Sequence, residues 1–100
     1  DALKAKGVDI IACLSVNDPF VMGAWAESQK VDADTMLMLA DGNGEFTRAV
    51  DLVMDASRGG MGQRSKRYSM LVKDGVVTQL NIEEPGAFEV SSAEHLIAQL

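Results

Sequence analysis

Residues 63–82 read QRSKRYSMLVKDGVVTQLNI. Two runs rich in β-formers, 68–72 and Val76–Ile82, flank Lys73, Asp74 and Gly75. Asp-Gly between such runs is a strong hairpin signal, because a type I′ turn needs positive φ at both central residues. With Asp74-Gly75 as the turn, Lys73 faces Val76 and Val72 faces Val77, and pairing continues outward to Arg67 opposite Ile82. Arg64, Lys66 and Arg67 then stand at the open end of the hairpin. Such charges either stay solvated and deter edge-to-edge aggregation, or provide a fixed positive charge on a rigid strand end.

The chain upstream adds strands and helices in alternation. Residues 1–6 (DALKAK) before Gly7 read as the last turns of a helix, with lysines suited to its C-terminal dipole. Residues 8–16 (VDIIACLSV) read as a strand that is apolar on both faces, the pattern of a parallel strand inside an α/β sheet. Asp18 then caps a helix with Pro19 at its first position, and Phe20, Val21, Ala24 and Trp25 form its apolar stripe. Residues 35–40 (TMLMLA) are a second strand, and 41–44 (DGNG) turn into a third helix over 45–52. Residues 56–65, with Gly59, Gly60 and Gly62, read as an irregular loop.

Beyond the hairpin, 83–88 is a loop through Pro85-Gly86. Ser91 or Ser92 caps a last helix running to Leu100, with Leu96, Ile97 and Leu100 inward and Glu94 able to complete a capping box with Ser91. The order β-α-β-α-ββ-α predicts an α/β fold with one mixed sheet flanked by helices, resembling the larger part of a thioredoxin-like fold. The 100 residues make a single domain.

Composition narrows the function. The 47% hydrophobic and 24% charged content is that of a globular protein, and the net charge of −6 argues against general affinity for nucleic acid. From 56 to 73 there are nevertheless five basic residues (Arg58, Arg64, Lys66, Arg67, Lys73) and no acid. Charge alone allows two readings, attraction of a small anionic ligand or compensation of the acidic remainder. No apolar run reaches membrane-spanning length, so no membrane association is expected. With one cysteine, Cys13, no internal disulfide forms, which suits a reducing, cytoplasmic setting.

Several motifs fail on inspection. Residues 41–45 (DGNGE) have the alternation of a calcium loop but carry Phe46 and Leu52 where glycine and an acid are needed. Residues 59–62 (GGMG) lack the features of a P-loop or dinucleotide fingerprint. One histidine, His95, and one cysteine exclude a histidine-rich site or a zinc cluster, so neither metal nor cofactor is expected. His95, read near a helix C-terminus, is a surface or dipole-facing residue. The six methionines serve as core and interface filler. Cys13 lies mid-strand between Ala12 and Leu14, where burial raises a thiol pKa and makes it inert.

Taken together, the segments IACLSVNDPFVMGAW, LADGNGEFT, GQRSKRYSMLVKDGVV and NIEEPGAFEVSSAEHL resemble peroxiredoxins of the type-five kind, small glutathione- or glutaredoxin-dependent thiol peroxidases. The likeness covers essentially the whole chain in order. It implies a thioredoxin-like fold and reduction of hydrogen peroxide and organic hydroperoxides, with a peroxidatic cysteine thiolate that becomes a sulfenic acid. It implies that Arg67 is the arginine that contacts thiolate and peroxide, since a guanidinium stays charged and offers forked donors to oxygens whose charge grows in the transition state. The segment Gly60-Met61-Gly62 matches the apolar rim of the family's active site, placing Met61 and Gly62 against substrate or a partner subunit. A homodimer is implied as well.

One departure is large. The family's Pro-x-x-x-Thr-x-x-Cys motif does not occur here; in relatives it lies upstream of the segment that matches Asp1. The strand preceding it would lie between the strand at 8–16 and the hairpin. The expectation is therefore a portion of a longer enzyme that supplies the arginine but not the nucleophile. Cys13 matches a non-catalytic position. The start of the last helix reads Val90-Ser91-Ser92 where some relatives carry a resolving cysteine, which implies a one-cysteine enzyme dependent on glutathione or glutaredoxin. Two rival readings remain: a non-catalytic thioredoxin-like module that binds a partner through an unpaired sheet edge, and a redox sensor using Cys13.

Overall fold

The computed structural model describes residues 2–84 and 86–100. They fall into two compact units, Val8–Ser65 and the combination of Asp1–Gly7 with Lys66–Leu100. Each is described by itself.

In the unit Val8–Ser65, strand β1 (Ala12–Ser15) pairs in parallel with β2 (Leu37–Ala40), Cys13 opposite Met38. The helix between them, α2 (Pro19–Ser28), is the crossover of a βαβ unit, and it lies against β2. Its start follows the sequence closely. Asp18 is extended, its carboxylate accepts the Val21 N–H at 2.8 Å, and Pro19 stands at the first position.

The face that α2 turns inward is not the expected one. Met22 is 1% exposed, whereas Phe20 is 86% exposed and Val21 and Trp25 are also exposed. The helix reads PFVMGAWAES, apolar nearly all round, so its periodicity does not select a face. The stripe Phe20, Val21, Ala24, Trp25 is thus corrected to one centred on Met22, with the half-buried Ala26 one turn on.

Helix α3 (Glu45–Ala49) is shorter than expected. Asp41 caps it from outside: one carboxylate oxygen accepts the Phe46 N–H, the other the Thr47 N–H and hydroxyl at 2.9 and 2.6 Å. The helix stops because Asp51 adopts φ 58°, a left-handed conformation that aspartate tolerates better than most residues. Leu52 is then 2% exposed, and Val53 opens a strand instead of continuing a helix.

That strand, β3 (Val53–Ala56), pairs antiparallel with β4 (Gly62–Ser65) around a short 3-10 turn, Ser57–Gly59. The expected irregular loop over 56–65 is therefore a hairpin with an unusual turn. Gly60 and Gly62 sit at φ 76° and 65°, which lets so short a ribbon reverse.

In the other unit, β5 (Tyr68–Lys73) and β6 (Val76–Ile82) form the expected hairpin. Asp74 and Gly75 have φ of 50° and 78°, and Lys73 faces Val76 and Val72 faces Val77. Beyond them a bulge intervenes: Leu71 pairs with Gln79, leaving Thr78 unopposed. The outer register moves by one. Tyr68, not Arg67, lies opposite Ile82, and Arg67 faces Glu83, whose N–H donates to the Arg67 carbonyl at 3.0 Å.

The closing helix α4 (Ala93–Gln99) lies against β5. Ser92 is its cap, accepting the His95 N–H at 3.1 Å. The capping box of Ser91 with Glu94 does not form, because the Ser91 hydroxyl is committed to Glu83. His95 accordingly stands in the first turn of the helix, not near its end. Helix α1 (Ala2–Ala5) lies against α4, with Gly7 following at φ 96°. Of the helical turns expected over 1–6 and the loop expected through Pro85-Gly86, Asp1 and Pro85 lie outside the described residues.

Strand pairing thus forms three two-stranded sheets among the described residues, where one mixed sheet was expected. The α/β class and the thioredoxin-like order hold, enlarged by the β3–β4 ribbon.

Candidate active site

Arg67 lies immediately before β5, at the mouth of the hairpin, as an exposed residue. Its guanidinium carbon stands 4.9 Å from the centre of the Phe88 ring. Attraction to a ring face contributes about 0.5–1 kcal/mol at an exposed site and uses no hydrogen-bond donor. No carboxylate pairs with Arg67 among the described residues, so its forked donors stay available for an incoming anion or a polarised oxygen.

The loop that carries Phe88 is gripped by Glu83. This carboxyl is 8% exposed. Its Oε2 accepts the N–H of Glu89 at 2.6 Å, the N–H of Ser91 at 2.8 Å and the hydroxyl of Ser91 at 2.6 Å. Burial alone pushes the carboxyl up. The hydrogen bonds from the Ser91 hydroxyl and from the N–H groups of Ser91, Glu89 and Val90 outweigh that and hold it at about 2. Glu83 and Phe88 were not singled out from the sequence. An acid just past a strand and an aromatic in a Pro-Gly loop were visible there, but only the bulge at Thr78 brings Glu83 opposite Arg67.

Met61 and Gly62 belong to the unit Val8–Ser65. Met61 precedes β4 and is 59% exposed, so it offers a thioether to solvent, and Gly62 is half-buried at the strand start. The five basic residues of 56–73 are divided likewise: Arg58 and Arg64 in this unit, Lys66, Arg67 and Lys73 in the other. Arg64 is engaged. Its Nη2 donates to Asn17 Oδ1 at 2.7 Å, while Asn17 Nδ2 donates to Ser15 Oγ at 2.8 Å, tying β4 to the corner between β1 and α2.

Cys13 lies in β1, half-buried, and burial raises its thiol above the usual range. A raised thiol is a poor nucleophile at neutral pH, which removes the support for a sensor built on it. Among the described residues no group of three or more His, Cys, Asp or Glu is arranged to hold a metal ion, and no helix is long and apolar enough to cross a membrane. A surface hollow of about 280 Å³ between α2 and β2 is lined mostly by apolar residues such as Met36 and Leu39, and its Asp32 is bonded to Thr35.

Comparison with known proteins decides the family. The family model described as Redoxin matches residues 1–97. The chain belongs to the redoxin family. It is 55% identical to Peroxiredoxin-2E-2, chloroplastic, of Oryza sativa subsp. japonica, over 98% of this chain and 44% of that protein. It is 44% identical to Peroxiredoxin-2B of Arabidopsis thaliana, over 100% of this chain and 61% of the relative. The crystal structure of reduced Prx3 from Vibrio vulnificus in complex with H2O2 superposes with a TM-score of 0.91 at 57% identity, covering 98% of this chain and 62% of that one. The redoxin thus has peroxiredoxins as its relatives and spans roughly half the length of the curated ones. A non-catalytic binding module is not the reading these relatives favour.

Proposed function

We propose that the complete protein carrying this redoxin segment is a thiol peroxidase of the type-five kind, reducing hydrogen peroxide and organic hydroperoxides. The observation that carries this reading is Arg67: an exposed guanidinium at a strand end, set against a ring and with its donors unspent among the described residues. Its likeness to a chain solved with H2O2 supports the substrate class.

In the reaction a cysteine thiolate outside this segment attacks one peroxide oxygen. The O–O bond breaks, the sulfur becomes a sulfenic acid, and the other oxygen leaves as an alkoxide or hydroxide that takes up a proton. Arg67 stabilises the thiolate and the negative charge that grows on the leaving oxygen. One equivalent of external thiol then displaces water to give a mixed disulfide, and a second releases the enzyme thiol. Met61 and Gly62 form the apolar rim.

Glutathione or glutaredoxin is the reductant we propose, a reading supported by the likeness to the family and by Val90-Ser91-Ser92 standing where some relatives carry a resolving cysteine. We take the 100 residues as one domain of that protein, and a homodimer as the assembly that the likeness to the family implies. The single cysteine supports a reducing compartment, of which the cytoplasm is one; two relatives carry chloroplastic in their names.

The test is peroxide turnover by the complete protein and by its Arg67→Ala variant. Loss of one such preorganised donor group lowers kcat/KM by about 10²–10³-fold. A near-wild-type rate in the variant removes Arg67 from the chemistry.

A further inference from the structure

A guanidinium on a flexible stem has many rotamers, and a catalytic one gains from being fixed before substrate arrives. The unit Lys66–Leu100 contains a device that fixes it without using its donors. The bulge at Thr78 sets Glu83 opposite Arg67, main chain to main chain, at 3.0 Å. From the same residue the carboxylate reaches forward and collects the Glu89 N–H and both donors of Ser91 on one oxygen. Phe88 directly precedes the gripped Glu89. Phe88 is 62% exposed, so core packing does not fix it, and the anchored point nearest to it is the Glu89 N–H bonded to Glu83. The ring in turn faces the Arg67 guanidinium at 4.9 Å.

We propose that Glu83 is a positioning residue for Arg67, acting through Phe88. Glu83 thereby sets both ends of the arginine, its carbonyl directly and its guanidinium through the loop. The proposal rests on the peroxidase reading for its effect on rate, but the coupling itself is a property of the fold.

The experiment uses the complete protein and two readouts: the mobility and ring-current shift of the Arg67 side chain by NMR, and kcat/KM for hydrogen peroxide. Phe88→Leu keeps apolar bulk but removes the ring; Glu83→Gln weakens the grip on the loop; Phe88→Trp keeps a ring face. Phe88→Leu and Glu83→Gln should free the Arg67 Nε–H, abolish the upfield shift of its side-chain protons and lower kcat/KM by about tenfold. Phe88→Trp should preserve both, and Glu83→Gln should add no further loss in an Arg67→Ala background.

An Arg67 side chain unchanged in Phe88→Leu overturns the proposal. So does an equal rate loss from Glu83→Gln with and without Arg67, which is the behaviour of a loop staple alone. A wild-type protein that does not turn over peroxide overturns the peroxidase reading instead, and the NMR readout then still decides whether Glu83 positions Arg67.

Discussion

Arg64 and Arg67 stand three positions apart and carry the same charge, yet their surroundings differ. Arg64, at β4, spends a donor on Asn17 Oδ1 at 2.7 Å and ties a ribbon to a helix corner. Arg67, at the mouth of the β5–β6 hairpin, rests on a ring that takes no donor. Charge alone does not separate the half-buried guanidinium from the exposed one; what the N–H groups touch does.

The comparison can be sharpened at several points. The largest effects are expected at Arg67, where even Arg67→Lys, which keeps the charge but loses the fork, should lower peroxide turnover by roughly tenfold or more with the melting temperature little changed. Arg64→Ala should instead lower stability by about 1–3 kcal/mol, since it leaves the part-buried Asn17 oxygen unsatisfied. Denaturant titration reads that loss. Asp18→Ala removes the cap of the helix that follows Asn17 and should cost about 1 kcal/mol in the same assay.

The most local effect concerns pH. The Glu83 carboxyl is held at about 2 in the folded protein, against about 4.3 for an unperturbed glutamate. A depressed pKa contributes stability that is fully present above the unperturbed value and is lost as pH falls through the folded one. The loop from Glu83 to Ser91 should therefore stay closed at neutral pH and open between roughly pH 4 and pH 2. The Glu89 and Ser91 amide resonances report it; a midpoint near 4.3 would mean that the grip is absent.

Local chemistry made much of this legible. Asp74-Gly75 determined the turn and the inner register, Asp18-Pro19 determined the start of α2, and the segments around Arg67 pointed to the family. What stayed illegible depended on packing at a distance. Nothing in VVTQL announces that Thr78 will be the unpaired residue, so the sequence register put Ile82 rather than Glu83 beside Arg67. The helix α2 is apolar on nearly every side, so only its contact with β2 selects Met22. The left-handed Asp51 ends α3 two residues before the apolar run does, and the Gly-rich stretch at 59–62 hid a ribbon because glycines read as loop. The fold class survived these errors, while the site lost the two residues, Glu83 and Phe88, that the bulge brings to Arg67.

The central claim is that Arg67 serves the reaction and Arg64 the fold. The most direct measurement is kcat/KM for hydrogen peroxide, alongside unfolding free energy, for Arg67→Ala and Arg64→Ala in the complete protein. The account predicts a rate loss of about 10²–10³-fold at nearly unchanged stability for the first, and lost stability with a rate near wild type for the second. Equal rate losses in the two variants, or the reverse pattern, would contradict it.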